Sequence, residues 1–111
     1  YKGEPIGNGR YSDITVFSFH PVKIITTAEG GMALTNSDAL AAKMALLRSH
    51  GITRDPAQMT REPDGGWYYE QIALGYNYRM TDVQAALGLS QLRRVDDYVA
   101  RRNEQADRYD R

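Results

Sequence analysis

The hydrophobic pattern of this chain changes period along its length, and that change restricts the architectures open to it. Ser12–Phe19 carries Ile14, Val16, Phe17 and Phe19, a short and mostly apolar run that reads as a strand. Residues 20–30 read as an irregular connector with Pro21, a Thr pair and a Gly pair, and Gly31–Thr35 reads as a second strand. Asn36 or Ser37 then caps a helix running to about His50, with Leu40, Met44 and Leu47 on one face and Gly51 as the stop. Thr81 opens a further helix, and Gln84 stands where a capping box requires it. Val83, Ala85, Ala86, Leu87 and Leu89 cover most of its circumference, which predicts burial on several sides. From Arg93 the stripe becomes Val95, Tyr98, Val99, Ala106 and Tyr109. Asp97–Arg101, Glu104–Arg108 and Asp107–Arg111 are expected as ion pairs on its outer face. Strand, connector, strand, helix and a long further helix predict an α/β domain.

Two regions escape this periodicity. Gly3, Pro5, Gly7, Asn8 and Gly9 crowd the N-terminal end, where Asn8-Gly9 signals a tight turn. Residues 52–75 form a long polar stretch with Pro56, Pro63 and Gly65-Gly66, interrupted by Trp67-Tyr68-Tyr69. A connection of that length is expected to be functional or mobile. Its aromatic run could face a nucleotide base, although packing is the commoner use of such a cluster.

Charge and composition narrow the function classes. Lys plus Arg and Asp plus Glu each number 14, and a net charge of zero predicts neither nucleic acid nor an anionic membrane as partner. The Arg pairs 93–94 and 101–102 are interleaved with acids, as on a solvated helix face. No cysteine is present, which excludes disulfide scaffolds, thiolate metal sites and cysteine nucleophiles. His20 and His50 lack metal-ligand spacing, so no metal site is expected. A cytoplasmic location is the default reading. The opening at Tyr1 and the uncapped helical pattern at Arg111 suggest a fragment of a longer chain.

The segment with chemical potential is Ser18-Phe19-His20-Pro21-Val22-Lys23-Ile24-Ile25-Thr26-Thr27-Ala28-Glu29-Gly30-Gly31. Its lysine follows an apolar strand and is flanked by Pro21, Val22, Ile24 and Ile25. An amine held in an apolar pocket is disfavoured as the ammonium, and the neutral form can attack an aldehyde to give a Schiff base. A lysine that snorkels from a strand end would look the same by spacing alone.

Resemblance separates these readings. Ser18 to Lys23, followed by Thr26-Thr27-Ala28-Glu29-Gly30-Gly31, closely resembles the cofactor-lysine segment of the DegT/DnrJ/EryC1/StrS sugar aminotransferases. A second block, Gly75-Tyr76-Asn77-Tyr78-Arg79-Met80-Thr81-Asp82 with Gln84-Ala85-Ala86-Leu87-Gly88, resembles another signature of that family. The similarity extends over essentially the whole chain, Arg48-Ser49-His50-Gly51 included; where many relatives have Gly, this chain has Ala28. The wording around Lys23, together with Trp67-Tyr68-Tyr69-Glu70-Gln71, is most similar to the pseudaminic acid branch. That branch moves an amino group from glutamate to C4 of a UDP-linked 4-keto-6-deoxy sugar.

The resemblance implies the rest. The expected fold is part of the large domain of a fold-type I pyridoxal-phosphate transferase of the aspartate aminotransferase kind. Residues 1–92 would belong to that domain, and 93–111 would begin the helix leading to the small domain. Lys23 is implied as the catalytic and cofactor-bearing lysine, Ser18 as a ligand of the cofactor phosphate, and Asn77 as a residue delivered to the neighbouring subunit's site in a homodimer. Arg79 would pair with the substrate diphosphate or tie down its own loop. Gly30 and Gly31 would permit close packing behind the lysine. The carboxylate for the pyridine nitrogen, the ring-stacking group and the phosphate cradle would come from upstream. The implied partners are a nucleotide sugar and L-glutamate. Amination at C3 or C4 of another nucleotide keto sugar is the alternative, as is a non-catalytic member of the fold. The family's dehydrating branch has histidine at the lysine position, and Lys23 counts against it.

Overall fold

A computed structural model describes residues 1–111. Two strands, β1 (Thr15–Ser18) and β2 (Gly31–Leu34), form one two-stranded sheet. Helix α1 spans Asp38–Arg48; short strands β3 (Ile52–Thr53) and β4 (Glu70–Gln71) make a second sheet, and helices α2 (Asp82–Leu92) and α3 (Val95–Tyr109) follow. The contacts divide the chain into two compact units. The first is Tyr1–Thr15 with Leu34–Arg79, the second Val16–Ala33 with Met80–Arg111.

In the first unit, local chemistry sets the ends of α1. Ser37 accepts at its Oγ from the Leu40 N–H (3.4 Å), and Asp38 sits in the first turn where the helix dipole favours it. Leu40, Met44 and Leu47 are half-buried on one face, as their spacing predicts. Gly51 then turns the chain at φ 68°, and a side chain there would collide with the Ala73 carbonyl. That close approach lets the chain beyond β4 run back along the end of α1. Ile72 N–H donates to Gly51 O (2.9 Å), Tyr76 N–H to Leu47 O (2.7 Å) and Tyr78 N–H to Arg48 O (3.0 Å).

The long polar stretch is more ordered than its composition suggests. β3 and β4 pair antiparallel, Ile52 opposite Gln71 and Thr53 opposite Glu70, with a 3-10 turn at Pro56–Gln58 between them. Glu70 gathers the loop. Its carboxylate accepts from Thr60 N–H (2.8 Å), Thr60 Oγ1 (3.0 Å) and Tyr68 Oη (2.8 Å), while Arg61 Nε donates to Tyr68 Oη (2.7 Å). The Thr60 backbone N–H, with help from the Tyr68 and Thr60 hydroxyls, holds the Glu70 carboxyl below its ordinary range.

In the second unit, Thr81 and Gln84 form the expected capping box at the start of α2. The burial of α2 differs from expectation. Its half-buried face is Gln84, Gly88 and Gln91, whereas Val83 (81%), Leu89 (54%) and Leu87 (39%) are exposed. Within its own unit the helix turns two glutamines and a glycine inward. On α3, Glu104–Arg108 forms the expected pair at 2.7 Å, but Asp97–Arg101 and Asp107–Arg111 do not pair. Exposed pairs of this kind are weak enough that solvation competes with them.

Neither unit has a buried apolar core; the buried side chains are Thr27 (2% exposed) and Thr53 (7%). Thr27 rests on Gly88, where an added methyl would meet Thr27 Cγ2 at 2.7 Å.

Two outcomes test this packing. Alanine at Gly88 gains about 1 kcal/mol of helix propensity, yet overpacking against buried Thr27 costs about 1–3 kcal/mol. Gly88→Ala in the full-length protein therefore lowers the melting temperature by a few degrees; a rise would mean that Thr27 turns aside freely. For the loop, the folded carboxyl of Glu70 ionises below its unfolded value. Its stabilisation is thus present above about pH 4.3 and is lost as pH falls through the folded value. Amide exchange over residues 59–62, corrected for intrinsic pH dependence, should rise in acid. In Glu70→Ala it should be fast at every pH. An unchanged profile in the variant would show that Glu70 does not hold the loop.

Candidate active site

Lys23 sits at the tip of a loop whose neck is closed by the backbone around Phe19. Phe19 O accepts from Thr27 N–H (3.0 Å) and from Thr26 Oγ1 (2.9 Å), and Phe19 N–H donates to Gly30 O (2.9 Å). At the tip, Lys23 N–H donates to His20 O (3.0 Å), making a tight turn through Pro21 and Val22. Pro21 has no N–H to satisfy and its φ is fixed, which suits a turn.

The two glycines behind the loop act as expected. A side chain at Gly30 would strike Thr27 Oγ1 and Met80 Cε, and one at Gly31 would meet Phe17 O at 2.7 Å. Ala28 occupies the left-handed region, φ 67°, which explains why glycine suits this position. Its N–H donates to Thr26 Oγ1 (2.9 Å), so the neck itself holds the unfavourable conformation.

The environment of Lys23 departs from the apolar pocket inferred from its neighbours. Lys23 is exposed, and Val22 (72%) and Ile24 (43%) are exposed beside it. Those side chains lie at a loop tip and not in a strand, so they do not enclose the amine. Within this unit Lys23 borders a cleft of about 540 Å³ whose lining includes Pro21, Thr26, Gln91 and the α3 residues Arg101 and Arg102. Lys23 makes no ion pair. Ser18, at the end of β1, is exposed, and its Oγ accepts only a long contact from His20 N–H (3.4 Å).

Asn77 and Arg79 belong to the first unit. Asn77 bridges Ser49 in an isolated antiparallel pairing, fixed by the backbone bonds of Tyr76 and Tyr78 to the end of α1. The rings of Tyr76 and Tyr78 stack at 4.8 Å, 17° from parallel, on one side of this extended segment. Alternation puts the exposed side chain of Asn77 on the other. Arg79 is exposed and unpaired. Of the aromatic run, Tyr68 is half-buried in the Glu70 network, while Trp67 (69%) and Tyr69 (52%) are exposed.

The residues present fit part of a pyridoxal-phosphate site. An amine free of carboxylate partners can bond to an aldehyde, and a serine hydroxyl with spare capacity can donate to a phosphate. No cluster of His, Cys, Asp or Glu suits a metal ion, and no helix is long and apolar enough to cross a membrane. Two residues near the lysine escaped pattern reading. Gln91 Oε1 accepts from Thr26 N–H (3.2 Å), and Thr27 is the most buried side chain of the chain.

Comparison with known proteins accords with this arrangement. The chain is 43% identical over 111 residues to UDP-4-amino-4,6-dideoxy-N-acetyl-beta-L-altrosamine transaminase of Campylobacter jejuni, covering 100% of this chain and 27% of the relative. It is 46% identical over 102 residues to GDP-perosamine synthase of Caulobacter vibrioides, covering 92% of this chain and 24% of the relative. Among solved structures, Spr1654 of Streptococcus pneumoniae in its PMP form superposes with a TM-score of 0.82 at 39% identity, over 99% of this chain and 28% of that one. The PLP form of the same protein superposes at 0.79. The chain thus spans about a quarter of the length of the relatives it matches. It carries the α/β fold expected of a pyridoxal-phosphate transferase segment, and the family model matches residues 1–111 throughout. The chain belongs to the DegT/DnrJ/EryC1/StrS aminotransferase family.

Proposed function

We propose that this chain is a segment of an enzyme that transfers an amino group from glutamate to the 4-keto carbon of a UDP-linked 4-keto-6-deoxy sugar. The observation that carries the reading is Lys23, presented at a loop tip without a carboxylate partner in a segment that matches the family throughout. The identity of 43% to a UDP-sugar transaminase favours the UDP-linked substrate. The identity of 46% to a GDP-perosamine synthase supports a second reading, a GDP-linked sugar on the same chemistry.

Pyridoxal phosphate supplies the aldehyde that takes up nitrogen and the conjugated ring that spreads the negative charge of proton removal. The chain's own residues supply position and proton transfer. Lys23 Nζ would hold the cofactor and would supply the amine that moves the proton in the transfer. The Ser18 hydroxyl donates to the cofactor phosphate. Asn77, projecting from the segment along α1, completes the site of a second copy, which makes the enzyme a homodimer with shared sites. Arg79 meets the substrate diphosphate as a planar, permanently charged donor. In this reading residues 1–92 lie in the large domain, and 93–111 lead towards the small domain. The enzyme is cytoplasmic, where nucleotide sugars are made.

The full-length protein should purify with bound cofactor. Borohydride followed by peptide mass spectrometry should place the reduced adduct on Lys23, and Lys23→Ala should lower turnover by more than about a hundredfold. An adduct on Lys2 or Lys43, or none, would overturn the assignment of the lysine. The shared site has its own test. Lys23→Ala and Asn77→Ala subunits, each impaired alone, should recover activity when mixed and allowed to reassort. Random pairing leaves about a quarter of the sites intact. Absence of any recovery, with mixed dimers demonstrated by native mass spectrometry, would assign Asn77 to its own subunit.

A further inference from the structure

The loop carrying Lys23 is tied to α2 by a single long-range hydrogen bond. Thr26 N–H, half-buried, donates to Gln91 Oε1 at 3.2 Å across 65 residues of sequence. The same threonine holds the neck shut through its hydroxyl, which donates to Phe19 O at 2.9 Å and accepts from Ala28 N–H at 2.9 Å. Gln91 lies on the inward face of α2, one turn beyond Gly88, on which Thr27 rests. The neck is therefore seated on α2 at two adjacent points, a steric one and a polar one. The capping box fixes the other end of that helix. Gln91 and Lys23 also border the same cleft.

We propose that Gln91, through its acceptance from Thr26 N–H, is a positioning residue that sets where the Lys23 amine is presented. The proposal rests on the reading of Lys23 as the cofactor lysine. The physical reason is the scarcity of other restraints. Lys23 is exposed and makes no ion pair, and Val22 and Ile24 beside it are exposed as well. At the tip the restraints are the turn closed by Lys23 N–H on His20 O and the approach of His20 Nε2 to Glu29 Oε1 at 3.9 Å. The direction of the amine is then inherited from the neck. Without Gln91 the Thr26 N–H loses its partner, and the neck gains an alternative in which that group turns towards water in the cleft. Small displacements of a reacting group cost disproportionately, with about 1 Å worth up to a hundredfold in rate.

The test compares three variants of the full-length protein. Gln91→Met keeps the volume and removes the acceptor; Gln91→Glu keeps an acceptor oxygen in place; Thr26→Val removes the hydroxyl that closes the neck. Apoprotein is mixed with pyridoxal phosphate, and the rate of adduct formation at Lys23 is read by borohydride trapping and peptide mass spectrometry. Melting temperature is recorded alongside. Gln91→Met and Thr26→Val should slow trapping at Lys23 by about tenfold or more, and Gln91→Glu should stay within about threefold of the wild type. In turnover, the Met variant should lose kcat with the KM for nucleotide sugar nearly unchanged. If trapping at Lys23 in Gln91→Met runs at the wild-type rate, with or without a lower melting temperature, Gln91 is structural only and the proposal fails, whatever Thr26→Val does. Should Gln91→Met not fold, Gln91→Ala, which also removes the acceptor, is held to the same two outcomes. If the wild-type adduct forms on another lysine, the functional reading fails instead, and the two failures are distinguishable by the residue labelled.

Discussion

The carbonyl of Phe19 accepts from the Thr27 amide and from the Thr26 hydroxyl at once. A carbonyl has two lone pairs, and using both here draws the two sides of the lysine loop to a single point. The consequence is a neck too narrow for ordinary side chains. Thr27 is driven to 2% exposure, its hydroxyl donates to Glu29 O at 2.9 Å, and it lies against Gly30 and Gly88, where an added side chain would strike it. Gly30, Gly31 and Gly88 are placed by this crowding. No buried side-chain polar atom is left without a partner, as a polar neck requires.

Ala28 shows that the neck carries strain as well as contacts. A non-glycine residue at φ 67° costs about 1–2 kcal/mol relative to the right-handed conformation. The Thr26 hydroxyl holds the Ala28 amide, so one side chain closes the neck on one side and fixes the strained residue on the other. Strain of this size persists only where the surroundings determine the backbone from several directions. It lies five residues beyond Lys23.

Local signals in the sequence translated well, and non-local ones did not. Ser37 and the Thr81–Gln84 pair announced their helices because a cap is settled within four residues. The pairing of Ile52–Thr53 with Glu70–Gln71 left no period to read, since each strand is two residues long. The Ser12–Phe19 run shortened to Thr15–Ser18 because Phe19 leaves the strand to form the neck. Lys23 and Asn77 stood out through resemblance. Gln91 did not, because its role depends on a backbone amide 65 residues away. The apolar pocket expected around Lys23 from its neighbours is replaced by an open cleft that Lys23 shares with Pro21 and Ile24, because the segment makes a turn and Val22 is left exposed.

The same geometry explains an apparent inversion in α2. An amphipathic helix ordinarily places apolar residues inward, but here Gly88 and Gln91 face the lysine loop, Gln84 is half-buried in the capping box, and Val83, Leu87 and Leu89 are exposed. Gly88 is required inward by Thr27, and Gln91 by Thr26 N–H. The apolar residues are left to the remaining faces, where covering each would contribute about 1.5–3 kcal/mol. The inner face of α2 is committed to holding the loop of Lys23, and burial of Val83, Leu87 and Leu89 is given up for that commitment.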